Sequence, residues 1–254
     1  MKPFPSDIPE QFDASGCFET CGVRRGVILY AVEHRRRLAA SLKTLGIPAD
    51  SLAGAWAEAT ATAKTIRDGV IRIAIRRAKN PAWLIHSHEG ISYSPEQLKN
   101  GVSVRTVSSR WPMGETAVAQ AKISERLSSI FAKMEEPDAV EQIRIGPHGY
   151  LTEGTVSNLF LVLGDRLVTP PPWLGVLSGV TRARVIRAAK RFKIAVDEIP
   201  VTRHELYNAR EVFLTNALMG ALPVREADGR LIGKGVPGPV TRRLMKEMNK
   251  GGSR

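Results

Sequence analysis

Leu151-Thr152-Glu153-Gly154-Thr155-Val156-Ser157-Asn158-Leu159-Phe160-Leu161-Val162 sets one acidic side chain and one amide at the mouth of a strongly apolar strand. Taken alone, the stretch also fits a tight loop feeding a core strand, with Glu153 merely solvated. Its surroundings favour a mixed α/β reading. Short strands at Ile143–Ile145, Tyr150–Thr152 and Leu159–Leu163 alternate with glycine-containing turns, and Gly164-Asp165 closes a hairpin into Leu167-Val168. Downstream, Ser178-Gly-Val-Thr181 opens a helix whose apolar positions include Val185, Ile186, Ala189 and Phe192. Thr202-Arg-His-Glu205 fits a capping box, Glu211–Thr215 a strand, Asp228-Gly229 a hairpin turn and Pro239–Met248 a last helix.

Upstream, Ile123, Leu127, Ile130, Phe131 and Met134 recur at helical spacing and predict a helix with a buried apolar face, Lys122 standing at its entrance. Ser108 to Glu115 breaks periodicity and reads as a linker. Before it lie strands at Val70–Ile75, Trp83–His86 and Val102–Val107. The first alternates Ile71, Ile73 and Ile75 with Arg72, Ala74 and Arg76, the pattern of a half-buried strand. An Ala-rich helix spans Pro48–Ile66. Leu38, Leu42 and Leu45 mark another from His34 to Leu45, with Arg37 at the edge of its apolar stripe. A hairpin turning at Gly26 precedes it. The expected organisation is α+β in two domains, residues 1–107 and 117–254, joined by a linker at 108–116.

Composition narrows the function classes. At 254 residues, 43% hydrophobic and 24% charged, the chain is sized for a substantial core. No apolar run approaches the roughly 20 residues of a membrane span, and the N-terminus shows no signal-peptide core, so a cytoplasmic protein without membrane contact is expected. Cys17 and Cys21 are too few for a disulfide framework. His86 and His88, two apart on a strand with no further ligands, read as strand residues, so no metal is expected. The formal charge of +12 suits anionic partners, but the basic residues look scattered, the densest run being Arg35-Arg36-Arg37. Nucleic-acid binding is therefore not the expected role.

Three features then converge: a lysine at Lys122, an acid at a turn, Glu153, and a Gly179-Val180-Thr181 helix start. Lysine can form a Schiff base, the acid can pair with a protonated ring nitrogen, and a helix N-terminus with a hydroxyl can cradle phosphate. These are the parts of a pyridoxal 5'-phosphate site. From about Gly16 to the last helix the chain resembles the fold-type IV pyridoxal phosphate enzymes, the branched-chain and D-amino-acid aminotransferases with 4-amino-4-deoxychorismate lyase. Gly16-Cys-Phe-Glu-Thr20, His34-Arg-Arg-Arg37-Leu38, Lys122, Glu153 to Phe160 and Gly179-Val-Thr-Arg182 match its motifs in order.

The resemblance implies that Lys122 is the catalytic Schiff-base lysine and that Glu153 faces the pyridine nitrogen, with Asn158 its brace. It assigns Arg37, Val180 and Thr181 to the cofactor phosphate. A homodimer is implied, with the cofactor between the two domains and a small amino compound as substrate. Phe213-Leu-Thr-Asn-Ala-Leu-Met219 resembles the lyase segment, bringing Asn216 and Ala217 to the cofactor. Ala217 stands where aminotransferases usually carry a phosphate-binding threonine. The expected activity is conversion of 4-amino-4-deoxychorismate to 4-aminobenzoate and pyruvate; the alternatives are an amino-acid aminotransferase and a catalytically silent basic nucleic-acid-binding protein. Arg77 and Arg110 are the candidates for a substrate carboxylate. The chain departs from the family at Ala78, which replaces a glycine, in having no Arg-x-His after it, and at Asp13-Ala-Ser-Gly16.

Overall fold

The computed structural model describes residues 16–76, 82–90, 93–108, 121–123 and 127–250. The chain divides into two compact units, Met1–Ser92 with Ala121–Arg126, and Tyr93–Gln120 with Leu127–Arg254.

In the first unit, β1 (Gly16–Arg24) turns through Arg25 and Gly26 into the short β2 (Val27–Ile28). Helices α1 (Ala31–Thr44) and α2 (Asp50–Ala63) follow, then β3 (Asp68–Arg76) and β4 (Ala82–Glu89). The sheet runs β2-β1-β3-β4, antiparallel throughout. One face carries Cys17, Cys21 and Val23 of β1 with Ile71, Ile73 and Ile75 of β3. It is sealed by Leu38 and Leu42 of α1 and Ala55, Ala59 and Ala63 of α2. Contrary to its half-buried pattern, β3 is covered on both faces, and Arg72 is only 8% exposed. Its guanidinium lies 3.9 Å over the Phe18 ring, so alternation with arginine does not mean alternation with water here.

The second unit begins with α3 (Pro95–Asn100), a helix the periodicity missed. Ser94 and Gln97 form a capping box at its start, a signal that was legible. Next come β5 (Val102–Val107), α4 (Leu127–Glu135), β6 (Glu141–Ile145), β7 (Leu151–Gly154), β8 (Asn158–Leu163) and β9 (Arg166–Thr169). They are followed by α5 (Val180–Arg191), β10 (Val196–Glu198), α6 (Arg203–Asn208), β11 (Glu211–Asn216), β12 (Gly220–Ala227), β13 (Arg230–Leu231) and α7 (Pro239–Lys250).

Pairing runs β8-β11-β12-β5-β6-β7 and returns from β7 to β8, closing a ring among the described strands, with β9 and β10 extending from β8. The two ladders of β5, with β12 and with β6, are parallel, and the other steps round the ring are antiparallel. This explains the unbroken apolar run of β8. Leu159 and Leu161 pack with Leu151, Leu214 and Leu222, whereas Phe160 and Val162 face the other way, onto α5 and α7. Phe160 stacks on Phe213 of β11 with ring centroids 5.0 Å apart. Both faces are buried, so no alternation is needed.

Two expectations are corrected. The sequence boundary at 107 gave β5 to the first domain, but β5 hydrogen-bonds to β6 and β12 and belongs to the second unit. Strand pairing, not periodicity, decides membership. The helix expected to bury Ile123, Ile130, Phe131 and Met134 does not. Ile123 bridges Cys17 of β1, α4 begins at Leu127, and Ile130, Phe131 and Met134 are 48%, 57% and 71% exposed. Helical spacing reports that one face is apolar, not what covers it. No helix among the described residues is long and apolar enough to cross a membrane.

Candidate active site

Lys122 stands in a tight turn, with Ile123 N–H donating to Ala121 O at 3.0 Å across it, and α4 begins only at Leu127. The Lys122 carbonyl accepts from Phe18 N–H at 2.9 Å, and its own N–H donates to Ser41 Oγ at 3.1 Å. Two-residue β2 covers only the end of β1, so the Lys122–Ile123 segment can lie along the edge left beside Cys17 and Phe18. Lys122 Nζ sits 4.6 Å from the Phe18 ring centroid, and the same ring receives Arg72.

Beneath this segment is a buried ionic cluster. Glu19, 0% exposed, projects from β1 toward α1 between two cysteines on the same face. Arg37 donates to both of its oxygens, Nε to Oε1 and Nη2 to Oε2, each at 2.7 Å, and His34 Nδ1 lies 2.7 Å from Oε2. Burial pushes the Glu19 carboxyl up. The Arg37 charge and the hydrogen bonds from Arg37 and His34 outweigh it and hold the group at about 2. Burial, with the Glu19 charge, pushes the Cys17 thiol up to about 12. Burial and Glu19 raise Cys21 as well, while Arg37 and Lys122 pull it back, so both cations lie within electrostatic reach of one thiol. Glu19, Cys21 and His34 are close enough to hold a metal ion, but Arg37 and His34 occupy both Glu19 oxygens and burial keeps Cys21 protonated.

The second unit assembles the acidic motif. Glu153 pairs across the β7–β8 turn with Asn158. Its Oε2 accepts from Asn158 Nδ2 at 2.9 Å and from Leu177 N–H at 3.0 Å, while Asn158 Nδ2 also donates to Leu177 O at 2.9 Å. The brace expected of Asn158 is present. The connection in between is held from β6: buried Glu141 accepts from Thr155 N–H at 2.8 Å, Val156 N–H at 3.3 Å and Ser157 Oγ at 2.7 Å.

Leu177 leads to Gly179, the N-cap of α5, where no side chain caps the helix and Val180 and Thr181 are buried. A Cβ at Gly179 would fall 2.0 Å from Asn158 Oδ1, so the glutamate brace and the helix start are built as one piece. Asn216 ends β11. Its Oδ1 accepts from Leu218 N–H and Met219 N–H, both at 2.9 Å, and its Nδ2 donates to Val156 O and Tyr93 Oη, both at 3.3 Å. Asn216 therefore shapes the Ala217 turn and ties it to the motif loop.

A sequence model described as amino-transferase class IV matches residues 16–227. The chain belongs to this family. Over 245 residues it is 31% identical to a putative branched-chain-amino-acid aminotransferase of Methanocaldococcus jannaschii, covering 91% of this chain and 85% of that one. The fold is similar to that of 4-amino-4-deoxychorismate lyase from Pseudomonas aeruginosa (TM-score 0.84, 27% identity, 93% of this chain and 91% of that one). It is also similar to the branched-chain amino acid aminotransferase of Escherichia coli (TM-score 0.86, 27% identity, 95% of this chain and 88% of that one).

In this member of the class IV family, Lys122 and Arg37 are carried by the first unit, and Glu153, Asn158, Val180, Thr181, Asn216 and Ala217 by the second. Within the second unit Glu153, Asn158 and the Gly179 helix start adjoin, and Asn216 is hydrogen-bonded to the motif loop at Val156. Arg77 and Arg110 lie outside the described residues. Sequence reading assigned no role to Glu19, Ser41, Arg72 or Glu141. Glu19 was the legible one, an acid on a face otherwise formed by Cys17, Cys21 and Val23. The others need pairing partners that only the fold supplies. The Gly179 geometry gives a direct expectation: Gly179→Ala displaces Asn158, costs about 1–3 kcal/mol of stability and weakens cofactor retention. Thermal unfolding with a cofactor-binding titration checks both effects; unchanged values in each would show that the close approach has no consequence.

Proposed function

We propose that the chain is a pyridoxal 5'-phosphate enzyme that converts 4-amino-4-deoxychorismate to 4-aminobenzoate and pyruvate. Its own residues fit the cofactor. A helix start without a side-chain cap, with Val180 and Thr181 backbone N–H groups and the Thr181 hydroxyl, would hold the phosphate together with Arg37. Glu153, fixed by Asn158 and Leu177 N–H, would meet the pyridine nitrogen, and Lys122 would bind the cofactor covalently. When bound, the cofactor supplies a carbonyl carbon for the substrate amine and a ring that withdraws electrons from the carbon bearing it.

Lys122 is the base that takes the proton from that carbon. The ring electrons then shift toward aromaticity, the carbon–oxygen bond to the enolpyruvyl group breaks, and the released enol gains a proton to become pyruvate.

The observation that carries the lyase reading is the Asn216 turn. Where an aminotransferase usually has a phosphate-binding hydroxyl, this chain has the methyl of Ala217, and Asn216 closes the turn with its own side chain. The amino-acid aminotransferase is the second reading, favoured by curated relatives that carry that name. Incubating the cofactor-loaded protein with aminodeoxychorismate and no 2-oxo acid separates them. Pyruvate and 4-aminobenzoate should appear in equal amounts; no pyruvate there, with amino transfer once a 2-oxo acid is added, would establish the aminotransferase.

We also propose a homodimer in the cytoplasm. The exposed apolar face of α4, Ile130, Phe131 and Met134, is a surface for a second copy to cover. Sedimentation should give twice the chain mass, reduced by Phe131→Glu; a monomer at micromolar concentration contradicts it.

A further inference from the structure

The proposed reaction leaves most of the protein's charge unused. Between residues 180 and 193 there are six basic residues and no acid, and between 239 and 250 four basic residues and one acid, Glu247. Their balance is 10 − 1 = +9, against +12 for the whole chain. In sequence these two segments are about 50 residues apart and the charge looks dispersed. In the fold they are adjacent helices: Val185, Ala189, Leu244 and Met248 of α5 and α7 share one core, Arg191 pairs with Glu247 at 2.6 Å, and Arg243 stacks on Phe192 at 4.0 Å.

Eight of the ten basic residues are exposed, among them Arg187, Lys190, Arg242 and Lys246. The acids nearby are already engaged, Glu247 with Arg191 and Lys250, and Glu198 with Arg182. Each helix has twelve residues and is therefore about 18 Å long. The face begins at Arg187, about 10 Å along the axis from Val180, so it is separate from the phosphate-binding end of α5.

We propose that the exposed face of α5 and α7 docks the phosphodiester backbone of double-stranded nucleic acid. No large hydrophobic side chain is exposed on it among the described residues, so it lacks the apolar wedge of a membrane-surface helix. Phe192, the aromatic at its edge, lies under Arg243 and offers no platform for unpaired bases. What remains is a rigid array of cations, complementary to a regular row of phosphates and without means of reading sequence. This role is independent of the reaction at Lys122 and leaves that site unchanged.

The test is fluorescence anisotropy of a labelled mixed-sequence duplex of about 20 base pairs, titrated with the full-length protein at several salt concentrations. Neutralising roughly four to six phosphates gives a log–log salt slope near −4 to −5. Arg187→Glu/Lys190→Glu/Lys246→Glu should weaken binding at least roughly tenfold, with unchanged melting temperature and turnover. The triple alanine variant should lose less, in the same direction. Arg35→Glu/Arg36→Glu, on α1, should retain binding. Absence of binding at about 0.1 M salt, equal loss in the α1 variant, or binding to phosphatidylserine vesicles but not to duplex would overturn the assignment.

Discussion

Lys122→Ala is expected to abolish the visible absorption of the cofactor-loaded enzyme and to slow turnover by about four orders of magnitude. In the proposed mechanism one side chain is both the covalent anchor and the proton-transfer group, and a positioned acid–base group alone contributes about 10²–10⁴. The fold should tolerate the change. What ties this segment to β1 and α1 is backbone: the Lys122 carbonyl to Phe18 N–H, the Lys122 N–H to Ser41 Oγ, and the bridge between Ile123 and Cys17. The variant should therefore melt within a few degrees of the parent while losing its colour. Stopped-flow turnover and a thermal melt check the two halves; near-normal turnover would remove Lys122 from the chemistry.

Glu19→Gln is expected to produce the largest loss of stability. The carboxylate is fully buried and shared between Arg37 and His34, so replacing it takes away the charge that the Arg37 guanidinium is paired with, in a site built for an anion. Holding the carboxyl at about 2 instead of 4.5 corresponds to about 3 kcal/mol near neutral pH. Because the folded-state value is depressed, this contribution is fully present above about pH 5 and disappears as pH falls toward about 2. Parent and variant melting curves should thus lie well apart at pH 7 and converge with acid. A gap that stayed constant down to pH 3 would show that the Glu19 charge is not what stabilises the cluster. Arg37 should also lose its fixed orientation, so cofactor affinity should fall in the same variant.

Most of the fold-forming signals were local and therefore legible. The hairpin at Arg25-Gly26, the Thr202 capping box, the turn at Asp228-Gly229 and the helix after Gly179 all follow from backbone preferences of a few adjacent residues. What periodicity could not supply was the environment on each face. Arg72 looked like the solvent side of β3 but is buried on Phe18, and Phe131 looked like core but is exposed on α4. The closed ring explains why β8 is apolar throughout, and ring closure depends on the distant pairings of β5 with β12 and of β8 with β11. The same holds for charge: nothing local says that α5 and α7 are neighbours.

For the candidate site, the ordered motifs single out Lys122, Glu153, Asn158 and the Gly179 turn. The supporting residues stayed hidden because their partners are distant in sequence: Ser41 serves a residue 122 − 41 = 81 positions away, and Glu141 serves Thr155 to Ser157 on the next turn but one. The resemblance proposes Asn216 for the cofactor; its hydrogen bonds show a turn-forming role that ties it to Val156 and Tyr93.

The central claim is that a pyridoxal cofactor is held covalently by Lys122. Borohydride reduction of the cofactor-loaded protein, followed by peptide mapping, tests it most directly. The reduced adduct should appear at one stoichiometric position, on the peptide that contains Lys122. An adduct on a different lysine, or none from protein saturated with cofactor, would contradict the account.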